Sequence, residues 1–214
     1  RFGGLNRVSA GFETNLHFKP VPGYSKPWYR LHANIELSKF ADSDLRDGLA
    51  GALVADVGLR LAPGLIGKAG YNFDWRRAFD GNVFDTSGHS LFASADYTLT
   101  SKVHLYSRYQ ARVGTVVSTA SPSARLLANA NAIEIDNTFG RSTNANFIGP
   151  PGQVGARPAY QLDAFSQSVR AGFNVALTHA MSLDLSAQWL TVDGRGGIDY
   201  RAWDFGGAIL YRFR

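Results

Sequence analysis

The sequence predicts an all-β fold, a single antiparallel up-and-down β-barrel, and three observations carry that prediction. Apolar and polar residues alternate through segment after segment. The links between segments alternate short with long. No window shows a convincing helical period. A strand sends successive side chains to opposite faces, so each alternating segment builds one apolar wall and one polar wall. A chain of 214 residues suits one domain, residues 1–214.

The segments follow in order. Val8, Ala10, Phe12, Thr14, Leu16 and Phe18 alternate with Arg7, Ser9, Gly11, Glu13, Asn15 and His17. Tyr29, Leu31, Ala33, Ile35 and Leu37 alternate with Arg30, His32, Asn34, Glu36 and Ser38. Residues 49–61 set Leu53, Ala55, Val57 and Leu59 against Asp56 and Arg60, and residues 65–75 set Ala69, Tyr71, Phe73 and Trp75 against Lys68, Asn72 and Asp74. Residues 91–99 oppose Tyr97 and its apolar neighbours to Ser94 and Asp96. Residues 103–117 oppose Leu105, Tyr109, Ala111 and Val113 to His104, Arg108, Gln110 and Arg112. Residues 165–177 oppose Val169, Ala171 and Phe173 to Ser168, Arg170 and Asn174. Residues 181–191 oppose Leu183, Leu185, Ala187 and Trp189 to Asp184, Ser186 and Gln188. The last segment, residues 200–213, carries Trp203, Phe205, Gly207, Ile209, Tyr211 and Phe213 against Asp204, Gly206, Ala208, Leu210 and Arg212. These are about nine segments of roughly 10–15 residues, against the roughly 9–11 that a membrane-crossing strand needs.

Three links read as tight turns: Ala62-Pro63-Gly64, Thr100-Ser101-Lys102 and Thr178-His179-Ala180. Four read as longer links, residues 39–48, 76–89, 118–159 and 192–199. Residues 118–159 form the one long irregular stretch, rich in Asn, Ala, Ser and Gly, and loops of that length carry function or lack order. The cluster Pro20, Pro22, Gly23 and Pro27 breaks the pattern near the start.

The aromatic pair Tyr211 and Phe213, at the end of an alternating final strand, resembles the closing strand of Gram-negative outer-membrane β-barrel proteins. Arg214 follows where that family normally ends on the aromatic. The resemblance covers almost the whole chain and is to an architecture rather than to a narrow family. It implies a transmembrane β-barrel of about eight to ten strands in the bacterial outer membrane, with the C-terminus periplasmic. Short turns then fall in the periplasm, and residues 118–159 become a long extracellular loop. The implied partners are outer-membrane lipid and lipopolysaccharide, with other protein subunits reached through the extracellular loops. An odd strand number conflicts with the even numbers of bacterial single-chain barrels. Either residues 7–18 pair with a strand upstream, making this the C-terminal part of a larger barrel, or residues 1–27 lie outside the wall and eight strands remain. The clean alternation of residues 8–18 favours the first.

A soluble barrel or sandwich is the competing reading, because alternation does not say which wall is wet. Three features oppose it. The non-apolar wall is rich in Gly, Ser, Ala and Asn, with Lys68 as the only strand lysine expected. Aromatics gather toward strand ends, as interfacial girdles require. The links alternate in length. A mean hydropathy of −0.14 suits a wall with one lipid-facing side, and no run is long enough for a membrane-spanning helix.

The composition narrows the chemistry. A net charge of +5 is scattered singly along the strands, so no nucleic-acid footprint is expected. There is no cysteine for a disulfide, a thiolate site or a Cys nucleophile. His17, His32, His89, His104 and His179 show no ligand spacing, and neither a metal nor a cofactor is expected. His89 and Ser90 are adjacent, so a strand would point them to opposite faces, and catalysis is not expected. Gly194-Arg195-Gly196-Gly197 joins two strands and opens no helix, so it reads as a flexible outer turn. The lumen-lining candidates are Lys68, Asp74, Asp96, Arg108, Arg112, Arg170, Asp184 and Asp204. They form either a structural salt-bridge plug or a wet polar pathway. The expected function is a porin-like conduit or the barrel scaffold of a larger assembly. A closed anchor or adhesin is the alternative, and an enzyme comes third.

Overall fold

The structure, a computed structural model, describes residues 7–41, 43–118, 124–136 and 157–212. It is all-β, one sheet of ten antiparallel strands. These are β1 (Arg7–Phe18), β2 (Trp28–Phe40), β3 (Gly48–Ala62), β4 (Leu65–Ala78), β5 (Thr86–Thr98), β6 (Val103–Ser118), β7 (Ala132–Asp136), β8 (Arg157–Ala176), β9 (Met181–Gly194) and β10 (Ile198–Tyr211). A short helix, α1 (Ala124–Asn129), precedes β7. Nine strands lie across the sheet in chain order, and β7 stands off that path, paired to β8. Each of the nine alternating segments is a strand, residues 7–18 included.

The registers keep the two walls apart across the whole sheet. Phe18 faces Tyr29, Tyr29 faces Val57, and the row continues through Ala69, Ala93, Tyr109, Val169, Trp189 and Trp203. A slip of one residue would turn a strand's apolar set to the wrong side. Among the described pairs the register shifts only between Arg60 and Ala62, at the end of β3. That row meets β1 at the last residue of its apolar run and β10 at the first of its run. The apolar stripe therefore slides along successive strands, as it does when tilted strands share one level band.

The apolar wall is uncovered: Phe205 is 75% exposed and Leu91 67%. The polar wall is the inner one. Asp56, Ser90 and Phe92 on it are buried, and its side chains reach past intervening strands. Arg108 on β6 lies within electrostatic range of Arg30 on β2, so the sheet curls around its polar face. It does not close into the expected barrel. Among the described residues β1 and β10 keep free edges, and as first and ninth of nine alternating strands they run the same way.

The buried apolar core lies at one end of the sheet. There β6 and β8 run on beyond β5 and β9, and β7 joins the other edge of β8. One face of this extension packs Ala159 with Ala78, Val83 and Phe84, joined by Leu45, Val117 and Ala132. The other seats Leu126 of α1 against Tyr160, Leu162, Val116 and Ile198. Two links at this end share one construction. Asp47 accepts the Phe40 backbone N–H at 2.7 Å, and Asp85 accepts that of Ala78 at 2.6 Å, each spanning seven residues.

Several expectations about the links need correction. Residues 118–159 are not wholly irregular: within them stand α1 and β7, and β8 begins at Arg157, because apolar Tyr160 and Leu162 have a core to join. Residues 192–199 are not a long link. β9 continues to Gly194 and β10 starts at Ile198, leaving a three-residue turn in which Gly196 and Gly197 take positive φ values of 82° and 70°. The links after β2 and β4 shrink to residues 41–47 and 79–85, and the link between β1 and β2, at the opposite end, is longer than the tight turns beside it. Length therefore separates the ends less cleanly than expected. Lys39 also lies in β2, so Lys68 is not the only strand lysine. Phe213, which carries part of the family resemblance, and Arg214, which departs from it, lie outside the described residues.

Candidate functional site: the polar face of the sheet

All eight candidate lining residues fall on the polar face. Lys68, Arg108, Arg170 and Asp204 share one register row, which runs Lys68–Ser94–Arg108–Arg170–Gln188–Asp204 from β4 to β10. Asp74, Asp96, Arg112 and Asp184 lie above and below it. Asp74 and Asp96, on neighbouring strands, are not side by side: Asp74 faces Gly88 and Asp96 faces Ile66.

Three ion pairs organise the β2–β6 half. Arg30 holds Asp56 through Nε at 2.7 Å and a terminal nitrogen at 2.5 Å. A carboxylate only 1% exposed needs such a partner, because an unpaired buried charge is very costly. Lys68 meets Asp96 at 3.0 Å on the neighbouring strand. Arg112 grips Asp74 with two bonds, 3.1 Å from Nε and 2.8 Å from a terminal nitrogen, the forked geometry a guanidinium favours. That last pair joins β6 to β4 across β5.

Glycine makes such crossings possible. Arg112 passes over Gly88 of β5, where a Cβ would collide with its guanidinium. Tyr106 of β6 passes over Gly172 of β8 to donate to Asp184 of β9 at 2.8 Å. Phe92 of β5 lies over Gly70 of β4, where a Cβ would come 2.7 Å from its ring and 2.6 Å from the Asp56 Cβ. The first two crossings tie a strand to its next neighbour but one, which supports the curl.

Arg108 and Arg170 are held differently. The Arg108 guanidinium stands 4.1 Å from the Phe92 ring centre, and that of Arg170 stands 6.0 Å from the Tyr106 ring. Arg170 also donates to the Ser186 hydroxyl at 3.1 Å. Among the described residues neither has a carboxylate within ion-pair distance. Asp204, at the far end of the row, is exposed and likewise without an ion pair among them. Ion pairs thus organise the polar face over β2–β6 apart from Arg108, and over β8–β10 Arg170 and Asp204 stand exposed.

Sequence reasoning missed Arg30–Asp56 as a pair, Phe92 and Tyr106 as inward aromatics, and the three glycines. Each breaks the polar alternation or looks like filler until the register sets its neighbour. His89 and Ser90 point to opposite faces, as expected: Ser90 is buried on the polar side, and His89 takes Tyr71 at 2.5 Å on the apolar side. Among the described residues no three metal-ligating side chains come together.

The chain matches no protein-family model, and no curated protein is significantly similar to it. Its class rests on the geometry: an antiparallel up-and-down β-sheet with a charged inner face and an uncovered apolar outer face.

Proposed function

We propose that this sheet is wall in an integral outer-membrane β-barrel, porin-like, whose polar face lines an aqueous conduit. The observation that carries the reading is the apolar face. It is continuous over nine strands, in register throughout and largely exposed, while the chain builds a buried core elsewhere, at one end. Exposed apolar patches on soluble monomers reach only about 300–600 Å², so a face of this extent needs a cover, and lipid covers it without specific contacts. The slide of the apolar stripe from strand to strand suits tilted strands in a level bilayer. In a barrel the free edges of β1 and β10 are paired, and antiparallel closure takes an odd number of further strands between them.

The lining supports a conduit more than a plug over β8–β10, where Arg170 and Asp204 are exposed. Reconstituted in planar bilayers, the protein is expected to give stepwise conductance, and heat-modifiable migration in detergent is expected for the folded barrel. A chain that neither resists carbonate extraction from vesicles nor shows that mobility shift would sink the membrane assignment. A closed anchor that binds a partner is the second reading, favoured by the packed platform of β6, β7, β8 and α1. It predicts insertion without conductance steps, and loss of partner binding when residues 118–159 are deleted.

A further inference from the structure

Arg108 and Arg170 are direct register partners on β6 and β8, two like charges face to face on the inner wall. Such a pairing is destabilising in a sheet unless something of opposite sign joins it. Elsewhere on the inner wall of β4–β6, Lys68 is neutralised by Asp96 and Arg112 by Asp74, and Arg76 donates to the Arg46 backbone oxygen. The carboxylate in electrostatic reach of Arg108 is Asp56, and Arg30 already pairs with it.

Their seats differ from those of paired arginines. A guanidinium stacked on a ring face is held in place while the N–H groups around its edge stay free to donate. Arg108 leans onto Phe92 of β5 and Arg170 toward Tyr106 and Ser186, so each head is held by neutral groups and not by a carboxylate. Ser94 and Gln188 flank them in the same row and supply neutral hydrogen-bonding groups.

We propose that the Arg108–Arg170 pair is an oxyanion-binding site on the inner wall, taking the phosphate or carboxylate group of a small solute between the two guanidinium forks. The inference deepens the conduit reading, and it makes that conduit selective through these two residues and not through Arg112. An oxyanion between the forks removes the like-charge repulsion and gains charge-assisted hydrogen bonds of the strong class.

Two readouts separate this site from the conduit that would use it. In the first, detergent-folded full-length protein is titrated with inorganic phosphate, and in a parallel arm with acetate, while thermal unfolding is followed. Saturable stabilisation is expected with at least one anion, and Arg108→Gln with Arg170→Gln should weaken it by about tenfold or more. Arg170→Lys, at an exposed position, keeps the charge without the fork and should weaken it less. In the second, reversal potential is measured across a chloride gradient in planar bilayers. The wild type should prefer anions, saturable block by the same oxyanion should appear, and the double variant should lose both. Saturable, arginine-dependent stabilisation without any conductance would uphold the site and remove the conduit. Stabilisation that never saturates, or that is unchanged in the double variant, would overturn the site whatever the conductance shows.

Discussion

Gly70, Gly88 and Gly172 matter here for the space they leave, and the three are not equivalent. At Gly172 an added Cβ would lie 2.5 Å from the Tyr106 hydroxyl and 2.6 Å from the Leu185 backbone oxygen, which has no freedom to retreat. At Gly88 it would strike the end of the Arg112 side chain, which can swing away. Gly172→Ala is therefore expected to cost about 1–3 kcal/mol through overpacking, and Gly88→Ala less. Urea unfolding of both variants in micelles checks the order. Gly88→Ala carries a separate signature, because displacing Arg112 leaves Asp74 without its fork. Asp74→Asn should then relieve part of the Gly88→Ala loss, and a double-mutant cycle measures that coupling.

The extended end of β6, β7 and β8 holds both buried apolar clusters found among the described residues. Leu126, 3% exposed, fastens α1 to it, and a helix of six residues has little stability without such docking. Leu126→Asp is expected to release α1 and make the segment sensitive to protease, with the main sheet intact. Tyr160 is fully buried there, and its hydroxyl has no partner among the described residues. Tyr160→Phe should thus be neutral to stabilising, by up to about 1 kcal/mol. Burial pushes the Tyr160 phenol up from its ordinary value. A group whose folded pKa is raised stabilises fully below its unfolded value and loses that contribution as pH rises through the folded one. The platform should accordingly loosen in strong alkali, and proteolysis against pH should show Tyr160→Phe resisting longer.

At the scale of the whole molecule the two faces make opposite demands. Phe205 lies within the outward apolar run of β10, and Ala208 points inward opposite Asp184. Under the membrane reading, Phe205→Arg should impair folding into vesicles by about 2–4 kcal/mol, while Ala208→Arg should be tolerated. A soluble sandwich that buried the same apolar face would show the same order of sensitivity, but it would fold in water without vesicles. Folding yield into lipid vesicles, read by the mobility shift, distinguishes them.

The all-β class, the nine path strands and their two walls were legible in the sequence, because a period of two is a local property of the backbone. Which wall faces inward was legible only as an inference from composition, and the exposure of Phe205 and the burial of Asp56 decided it. β7 and α1 escaped notice because each is short and gains its place from Tyr160, Leu162 and Ala159, residues distant from one or both in sequence. The tight turn at Gly196 and Gly197 was hidden by a glycine run that reads equally well as a loose loop. Pairing across β5 and β8 lay further out of reach. Asp74 with Arg112, Tyr106 with Asp184, and Arg108 opposite Arg170 all depend on register and curl, and those are set by the whole sheet together. The sequence by itself determined the strands and the character of each face. Only the tertiary structure decided which charges neutralise one another and that Arg108 and Arg170 face each other with no carboxylate partner among the described residues, because ion pairing is a matter of distance between side chains on different strands.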